Sequence, residues 1–151
     1  MPARAEPRSA STTDLANELR PILVRLAREL RKETMHLGIT GGQAALLWQI
    51  SKQPGIGLRE LAEIEGIATP TASGLVDRLE RAKLIERVRS QTDRRRVGLT
   101  STAAGRRLLV AVRARRTVWL AERLGRLSPP ERAAIEAALQ PLARLIVDPA
   151  G

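Results

Sequence analysis

The feature that most constrains this chain is a pair of short helical patterns separated by a glycine. Residues 58–65 carry Leu61 and Ile64 on one helical face, and Gly66 supplies the left-handed residue that commonly ends a helix. Another helical pattern begins at Thr69 and places four aliphatic residues on one face: Ala72, Leu75, Val76 and Leu79. Two amphipathic helices joined by so short a turn predict a helix-turn-helix over residues 58–82.

The second of these helices begins with residues that are weak helix formers. We expect Thr69 to cap it, with Pro70 at the first helical position, where a missing N–H costs nothing. Its outer face is small and hydroxyl-bearing in the first turns and charged beyond them: Pro70, Thr71, Ser73, Gly74, Asp77, Arg78 and Arg81. Small side chains at the front of a helix predict that another molecule approaches it closely.

The apolar period changes from helical to alternating after Leu84. Residues 85–89 predict a strand, the sequence Ser-Gln-Thr-Asp at 90–93 is typical of a turn, and residues 97–99 predict the return strand. Three consecutive arginines, at 94–96, lie between the turn and the return strand. A β-hairpin with a basic tip directly after a helix-turn-helix predicts a winged helix.

A long helical pattern precedes this region, from Leu15 to about Met35. Pro21 lies within it, and we expect this residue to kink the helix or to mark where its ordered part starts. The apolar stripe of this helix has no partner within a short terminal segment. It is therefore expected to pack on another helix or on another subunit.

Capping residues predict three further helices. The caps and their helices are Thr40 with Gln43 for residues 41–51, Thr102 for residues 103 to about 127, and Ser128 with Glu131 for the last helix. With the hairpin, these elements predict a mainly α fold with a small β-hairpin wing.

The charge balance indicates an anionic partner. The chain of 151 residues has 26 basic residues, a formal net charge of +10 and a sequence pI near 11.6. Only three of the basic residues are lysines, and arginine offers the planar, forked donors that suit phosphates and base edges. This balance favours nucleic acid or another anionic surface as partner, although a merely basic surface would have the same composition.

The composition also excludes several classes of site. The absence of cysteine removes disulfides, thiolate catalysis and cysteine metal sites, and a single histidine, His36, argues against a protein-only zinc site. The carboxylates are scattered and form no constellation with a nucleophile or a base, so we expect no enzyme, cofactor or metal centre.

Targeting signals are likewise not expected. No apolar run approaches the roughly 20 residues that a membrane span needs, and the N-terminal residues lack the apolar segment of a secretory signal. We therefore expect a soluble, cytoplasmic protein with a disordered tail over residues 1–12.

The central region resembles a known family. Residues 61–105, LAEIEGIATPTASGLVDRLERAKLIERVRSQTDRRRVGLTSTAAG, are similar to the winged-helix core of MarR/SlyA transcription regulators. The resemblance rests on the LVDRLE run, the LI-R start of the strand, the DRR motif of the wing and the T-x-x-G entry to the next helix. Two positions depart from the family pattern: Lys83 replaces the usual glycine, and Ser101 replaces the usual leucine.

The resemblance implies a winged helix-turn-helix with N- and C-terminal dimerisation helices. The expected parts are a helical dimerisation region at 13–38 and 103–147 and a DNA-binding domain at 39–102. It implies a homodimer and a repressor, less often an activator, that releases DNA when a small molecule binds. Family effectors are often phenolic or lipophilic and sit between the dimer helices and the winged lobe.

Candidate DNA-binding residues follow from the motif. In the first helical turns, Thr69, Thr71 and Ser73 offer hydroxyls, and Gly74 lets the backbone approach DNA. Arg78 is the candidate for a guanine contact, and Asp77 is expected to orient it or to accept from cytosine. The wing places Arg94, Arg95 and Arg96 at the minor groove, with Asp93 bracing the tip as the resemblance implies.

The remaining candidates concern an effector, which we expect to be anionic, phenolic or lipophilic. His36, Trp48 and Arg113 are candidate ligand-binding residues near the dimer helices, and ordinary packing is the alternative for each. For the whole chain, the alternative to a sequence-specific regulator is a nonspecific DNA-architectural or partner-docking winged helix. A sequence-specific regulator should prefer a pseudo-palindromic double-stranded DNA site, and a nonspecific protein should show no preferred site.

Overall fold

Helices account for most of the molecule, and a single hairpin interrupts them. The computed structural model describes residues 11–89 and 96–146. The elements within these residues are α1 (Thr12–Met35), α2 (Gly41–Lys52), α3 (Leu58–Glu65), α4 (Thr69–Arg81), β1 (Ile85–Arg89), β2 (Val97–Ser101), α5 (Ala103–Leu124) and α6 (Pro129–Arg144). The mainly α winged-helix fold predicted from the sequence is confirmed.

Local capping chemistry explains where most helices begin. In α2, the Gln43 N–H donates to the Thr40 hydroxyl at 3.2 Å, and the Thr40 N–H donates to the Gln43 side chain at 2.9 Å. Equivalent capping boxes open α6 at Ser128 and α1 at Ser11. The sequence predicted the boxes at Thr40 and Ser128. The box at Ser11 was not predicted, and it starts α1 at Thr12, within the predicted tail.

Helices α1 and α5 also differ from the prediction. Helix α1 is continuous through Pro21, so the proline does not mark the start of the ordered helix. Helix α5 ends at Leu124 and not near residue 127, because Gly125 caps it and the next residues form a turn. The last turn of the predicted helix therefore belongs to the connection into α6.

The core lies where α2, α3, α4 and the hairpin meet α5. It is aliphatic and its members are Ile39, Leu46, Leu47, Ile50, Ile56, Leu61, Val76, Leu79, Ile85, Leu99 and Val112. Ile64 was predicted to face inward, but 50% of it is exposed. The buried stripe of α3 runs through Leu61 and Ala62, and Ile64 lies beside that stripe.

The hairpin is fixed to the helices at both of its ends. Strands β1 and β2 are antiparallel, with Ile85 opposite Ser101 and Arg87 opposite Leu99. Leu99 also forms a bridge with Ile56 of the α2–α3 loop, and its N–H donates to the Ile56 carbonyl at 2.9 Å. The base of the wing is therefore a three-segment ladder, and β2 continues two residues beyond its predicted end at Leu99.

The backbone is closely packed where α4, β1 and α5 meet. The Thr102 hydroxyl donates to the Lys83 carbonyl at 2.8 Å, while the Gly105 N–H donates to that hydroxyl at 3.1 Å. Gly105 is buried, and a Cβ there would overlap the Leu84 carbonyl. The T-x-x-G motif is thus explained by a cap and a close backbone contact. Lys83 is left-handed, with φ of 58°.

The two terminal helices leave apolar surface uncovered. In α6 no residue is buried, and Ile135 and Leu139 are 41% and 58% exposed. In α1 the exposed aliphatic residues are Leu15, Ile22, Leu23, Val24 and Leu26. The C-terminal part of α1 packs on α2 and α5, so within the described residues the uncovered apolar surface is that of residues 15–26 and that of α6.

Candidate nucleic-acid interface

Helix α4 begins one residue earlier than the sequence predicted. Ala68 is its N-cap, with φ of −65° and ψ of 141°, and the Ala72 N–H donates to the Ala68 carbonyl at 3.0 Å. Thr69 is the first helical residue and Pro70 the second, so the expected Thr69 cap is wrong, and no side chain caps this end. Pro70 still fits, because the first four N–H groups of a helix lack partners within it.

The outer face of α4 is open, as its sequence pattern predicted. Ala72, Val76 and Leu79 are fully buried on the opposite face. The residues of the outer face divide into exposed and half-buried positions: Thr69, Pro70, Thr71, Gly74, Arg78 and Arg81 are exposed, and Ser73 and Asp77 are half-buried. A Cβ at Gly74 would have no described atom within 4 Å, so the fold itself does not require glycine there.

Arg78 and Asp77 have different surroundings, although they are adjacent. No described residue accepts a hydrogen bond from the exposed Arg78. The Asp77 carboxylate, in contrast, accepts from Arg87 of β1, with 2.9 Å between Nη2 and Oδ1. The predicted pairing of Asp77 with Arg78 is therefore replaced by a pairing with the wing strand.

Arg87 bridges two carboxylates of α4. Besides its contact with Asp77, its Nε donates to Oε2 of Glu80 at 2.9 Å. These contacts, led by the hydrogen bond to Glu80, raise the pKa of Arg87 above its ordinary value. The Arg87 side chain is 37% exposed and bound to α4. An arginine offers several donors, so it can bond two carboxylates at once.

The wing is described only in its lower part. Asp93, Arg94 and Arg95, which carry most of the wing prediction, lie outside the described residues. Arg96 is described and exposed, immediately before β2. With Arg59 and Arg89 it lines a polar cavity of about 550 Å³ between the wing and the start of α3.

A separate apolar cavity of about 650 Å³ lies between α1, α2 and α5. Its lining includes Trp48 and Arg113, which the sequence had suggested for a ligand, together with Arg106 and Arg116. His36, the third candidate, does not line it and is exposed as the C-cap of α1. The structure thus brings two of the three candidates together.

The cavity has a positive lining that no carboxylate offsets. Burial, and then the nearby charge of Arg31, lower the pKa of Arg116, whose Nε donates to the Leu30 carbonyl at 3.2 Å. The Lys52 ammonium lies over the Trp48 ring, 4.3 Å from its centroid. This combination of apolar walls and cationic groups suits a ligand with an apolar body and an anionic group.

Comparison with known proteins agrees with this geometry. The MarR family model matches residues 39–97. An HTH-type transcriptional regulator of Mycobacterium bovis is 26% identical over 90% of this chain and 95% of its own length. The MarR family protein of Bacillus stearothermophilus is 27% identical, with a TM-score of 0.74 over 92% of this chain and 97% of that one.

The central part of the chain is similar to MarR-family proteins. The matched segment contains α2, α3, α4 and β1, which are the elements that build and support the open face of α4. MepR of Staphylococcus aureus, at 23% identity and a TM-score of 0.73 over 87% of this chain and 98% of that one, shares the fold. The fold of this chain is therefore that of these proteins, and its curated relatives are named HTH-type transcriptional regulators.

Sequence reasoning missed the contact between Arg87 and α4. Strand alternation could have found it, because Arg87 lies on the same face of β1 as the buried Ile85. Asp77 and Glu80, three residues apart on α4, lie on one side of that helix. Together these two patterns point to a contact between the strand and the helix.

The described residues hold neither a cluster of metal ligands nor a membrane-spanning helix. In residues 11–89 and 96–146, no group of three or more histidine, aspartate or glutamate residues could hold a metal ion. Within the same residues, no helix has both the length and the apolar character required to cross a membrane.

Proposed function

We propose that this protein is a MarR-family transcriptional regulator, which binds a pseudo-palindromic operator as a homodimer and represses transcription until a small molecule releases it. The observation that carries this proposal is the open outer face of α4. That face combines hydroxyls, a glycine and an arginine with no acceptor among the described residues, while Ala72, Val76 and Leu79 on the opposite face are fully buried. A helix that is rigidly packed on one side and small on the other suits the major groove.

The proposed contacts assign roles along α4. Thr69, Thr71 and Ser73 donate to phosphates and base edges, and the N-terminal end of the helix favours phosphate through its dipole. Arg78 reads a guanine through two parallel hydrogen bonds. The wing arginines Arg94, Arg95 and Arg96 approach the minor groove, with Asp93 bracing the tip.

Dimerisation is proposed from the uncovered apolar stripes. Exposed aliphatic residues recur along both α1 and α6, and large exposed apolar surface marks an interface. A two-fold dimer through these helices would present two copies of α4 to one DNA face, about one helical turn apart. The terminal parts of the chain thus form the dimerisation region, the central part binds DNA, and the protein acts in the cytoplasm.

The effector is proposed to occupy the cavity between α1, α2 and α5. Trp48 would cover an apolar body, and Arg113, with Arg106 and Arg116, would hold an anionic group. An occupant would contact both the dimerisation helices and α2 of the winged lobe. It would therefore favour one arrangement of these elements and change the spacing of the two α4 helices.

The alternative is a winged helix that binds DNA without sequence preference. Both functions share the fold and the charge of +10, and they differ in base readout. Selection of bound sites from a random duplex pool at near-physiological salt separates them. An inverted repeat supports the operator-binding dimer. Binding without a motif, which fades steeply as salt rises, contradicts it and supports the nonspecific protein.

A further inference from the structure

Arg87 donates to two carboxylates of α4. Its Nη2 lies 2.9 Å from Asp77 and its Nε 2.9 Å from Glu80. The exposed fractions of the three side chains, Arg87, Asp77 and Glu80, are 37%, 49% and 40%. The cluster is therefore partly open to solvent, on the edge of the DNA-facing surface, and two of the five guanidinium N–H groups are engaged by carboxylates.

The position of Arg87 in the hairpin directs it toward the helix. Its neighbour across the ladder is Leu99, which is buried, and Ile85 on the same strand face is also buried. The two ion pairs extend this contact outward from the core. They join the wing strand to the second half of α4, in which the proposed guanine-reading Arg78 also lies.

We propose that Arg87 is a positioning residue for DNA recognition, which fixes the wing strand against α4 and keeps the Asp77 carboxylate away from the bases. The proposal rests on base reading by α4. Asp77 adjoins Arg78, and a carboxylate released there would repel phosphates and could accept a hydrogen bond from a cytosine amino group. Pairing with Arg87 would thus determine which of the two adjacent residues reads DNA.

The test compares R87A, D77N and the double variant, with R89A as the matched control. Arg89 carries the same charge on the same strand, and it has no described contact with α4. For each variant, site selection gives the preferred sequence, and affinity at several salt concentrations gives the number of phosphate contacts. Thermal unfolding shows that each variant is folded.

The variants are expected to differ in operator affinity and in base preference. R87A weakens operator binding roughly five- to tenfold and keeps the salt slope of the wild type. It also changes the preferred base at one position of each half-site. Adding D77N removes the new preference and restores part of the affinity, because the released carboxylate is no longer charged. R89A keeps the wild-type motif.

Two results would overturn the proposal. A salt slope lower by about one per subunit in R87A, with no relief from D77N, would mean that Arg87 binds a phosphate. Unchanged affinity and an unchanged motif in R87A would mean that it positions nothing. R87K provides a second, conservative variant: a single ammonium cannot reproduce the forked contact with both carboxylates, so an intermediate effect is expected.

Hydrogen exchange in the free protein separates this proposal from the proposed function. If the wild type itself selects no motif, the proposed operator-binding function is wrong. The contact between Arg87 and α4 is then tested by hydrogen exchange in the free protein alone. Faster exchange of β1 amides in R87A, but not in R89A, supports the contact between strand and helix. Equal exchange in both variants overturns it.

Discussion

Arg106 of α5 donates a hydrogen bond from Nη1 to the backbone carbonyl of Ser101 at 2.7 Å. Ser101 is the last residue of β2 and is only 6% exposed. The Arg106 side chain also lines the cavity between α1, α2 and α5. One residue thus joins the proposed effector site to the base of the wing.

Loss of this contact should weaken the junction. We expect R106A to lower the free energy of unfolding by about 1 kcal/mol, because the buried Ser101 carbonyl loses a charged donor. Urea denaturation measures the difference. Arg107 is the matched control, since it is exposed, adjacent and without a described partner. Equal destabilisation by R106A and R107A would contradict a role for the hydrogen bond.

Gly105 should tolerate no side chain. A Cβ there would overlap the Leu84 carbonyl and approach the Leu47 side chain. We expect G105A to destabilise the protein by about 2–3 kcal/mol, since backbone must move in a packed junction. Thermal or chemical unfolding tests this expectation. A variant as stable as the wild type would show that stability does not require the start of α5 to lie so close to Leu84, the residue before β1.

Replacing Gly74 with alanine should stabilise the protein, in contrast to the same substitution at Gly105. A Cβ there meets no described atom within 4 Å, and alanine is the better residue inside a helix. We expect G74A to raise the free energy of unfolding by about 0.5–1 kcal/mol. The same methyl group should reduce DNA affinity several-fold if the α4 backbone approaches DNA at this point. Higher stability with unchanged affinity would contradict close approach.

Lys83 should show the cost of a left-handed backbone. At φ of 58° a residue with a side chain is strained by about 1–2 kcal/mol, and glycine is not. Because glycine also loses more chain entropy on folding, we expect a net gain of about 1 kcal/mol in K83G. K83A is the control, and it should leave the stability nearly unchanged. A gain of equal size in both variants would point to the lysine charge instead.

Local chemistry made much of the fold predictable. The bounds of α3, the capping boxes at Thr40 and Ser128, and the strand Ile85–Arg89 follow from residues within a few positions of each other. The open face of α4 follows from its helical period. Such features depend on turns, caps and side-chain spacing, which the sequence displays directly.

Features that depend on distant residues were less predictable. Asp77 was expected to orient Arg78 or to accept from cytosine, whereas the residue that pairs with it in the structure, Arg87, comes from the next element. Helix spacing determines the cavity that joins Trp48 to Arg113, and it leaves His36 outside. The position of the α4 cap was wrong by one residue, at Thr69 instead of Ala68. A side-chain cap is less needed there, because Pro70 has no N–H that requires a partner.

The central claim is that α4 reads bases, and Arg78 tests it most directly. Site selection would be run in parallel for the wild type, R78A and R81A. Arg81 is a suitable control because it is exposed on the same helix, and its Nε donates to the Asp77 backbone carbonyl.

We predict an inverted repeat for the wild type and for R81A. In R78A the same repeat should lose its preference at one base step of each half-site, a discrimination of about 1–3 kcal/mol. Weaker binding of R78A to every sequence alike, with the motif intact, would instead place Arg78 on a phosphate and contradict base reading by this residue.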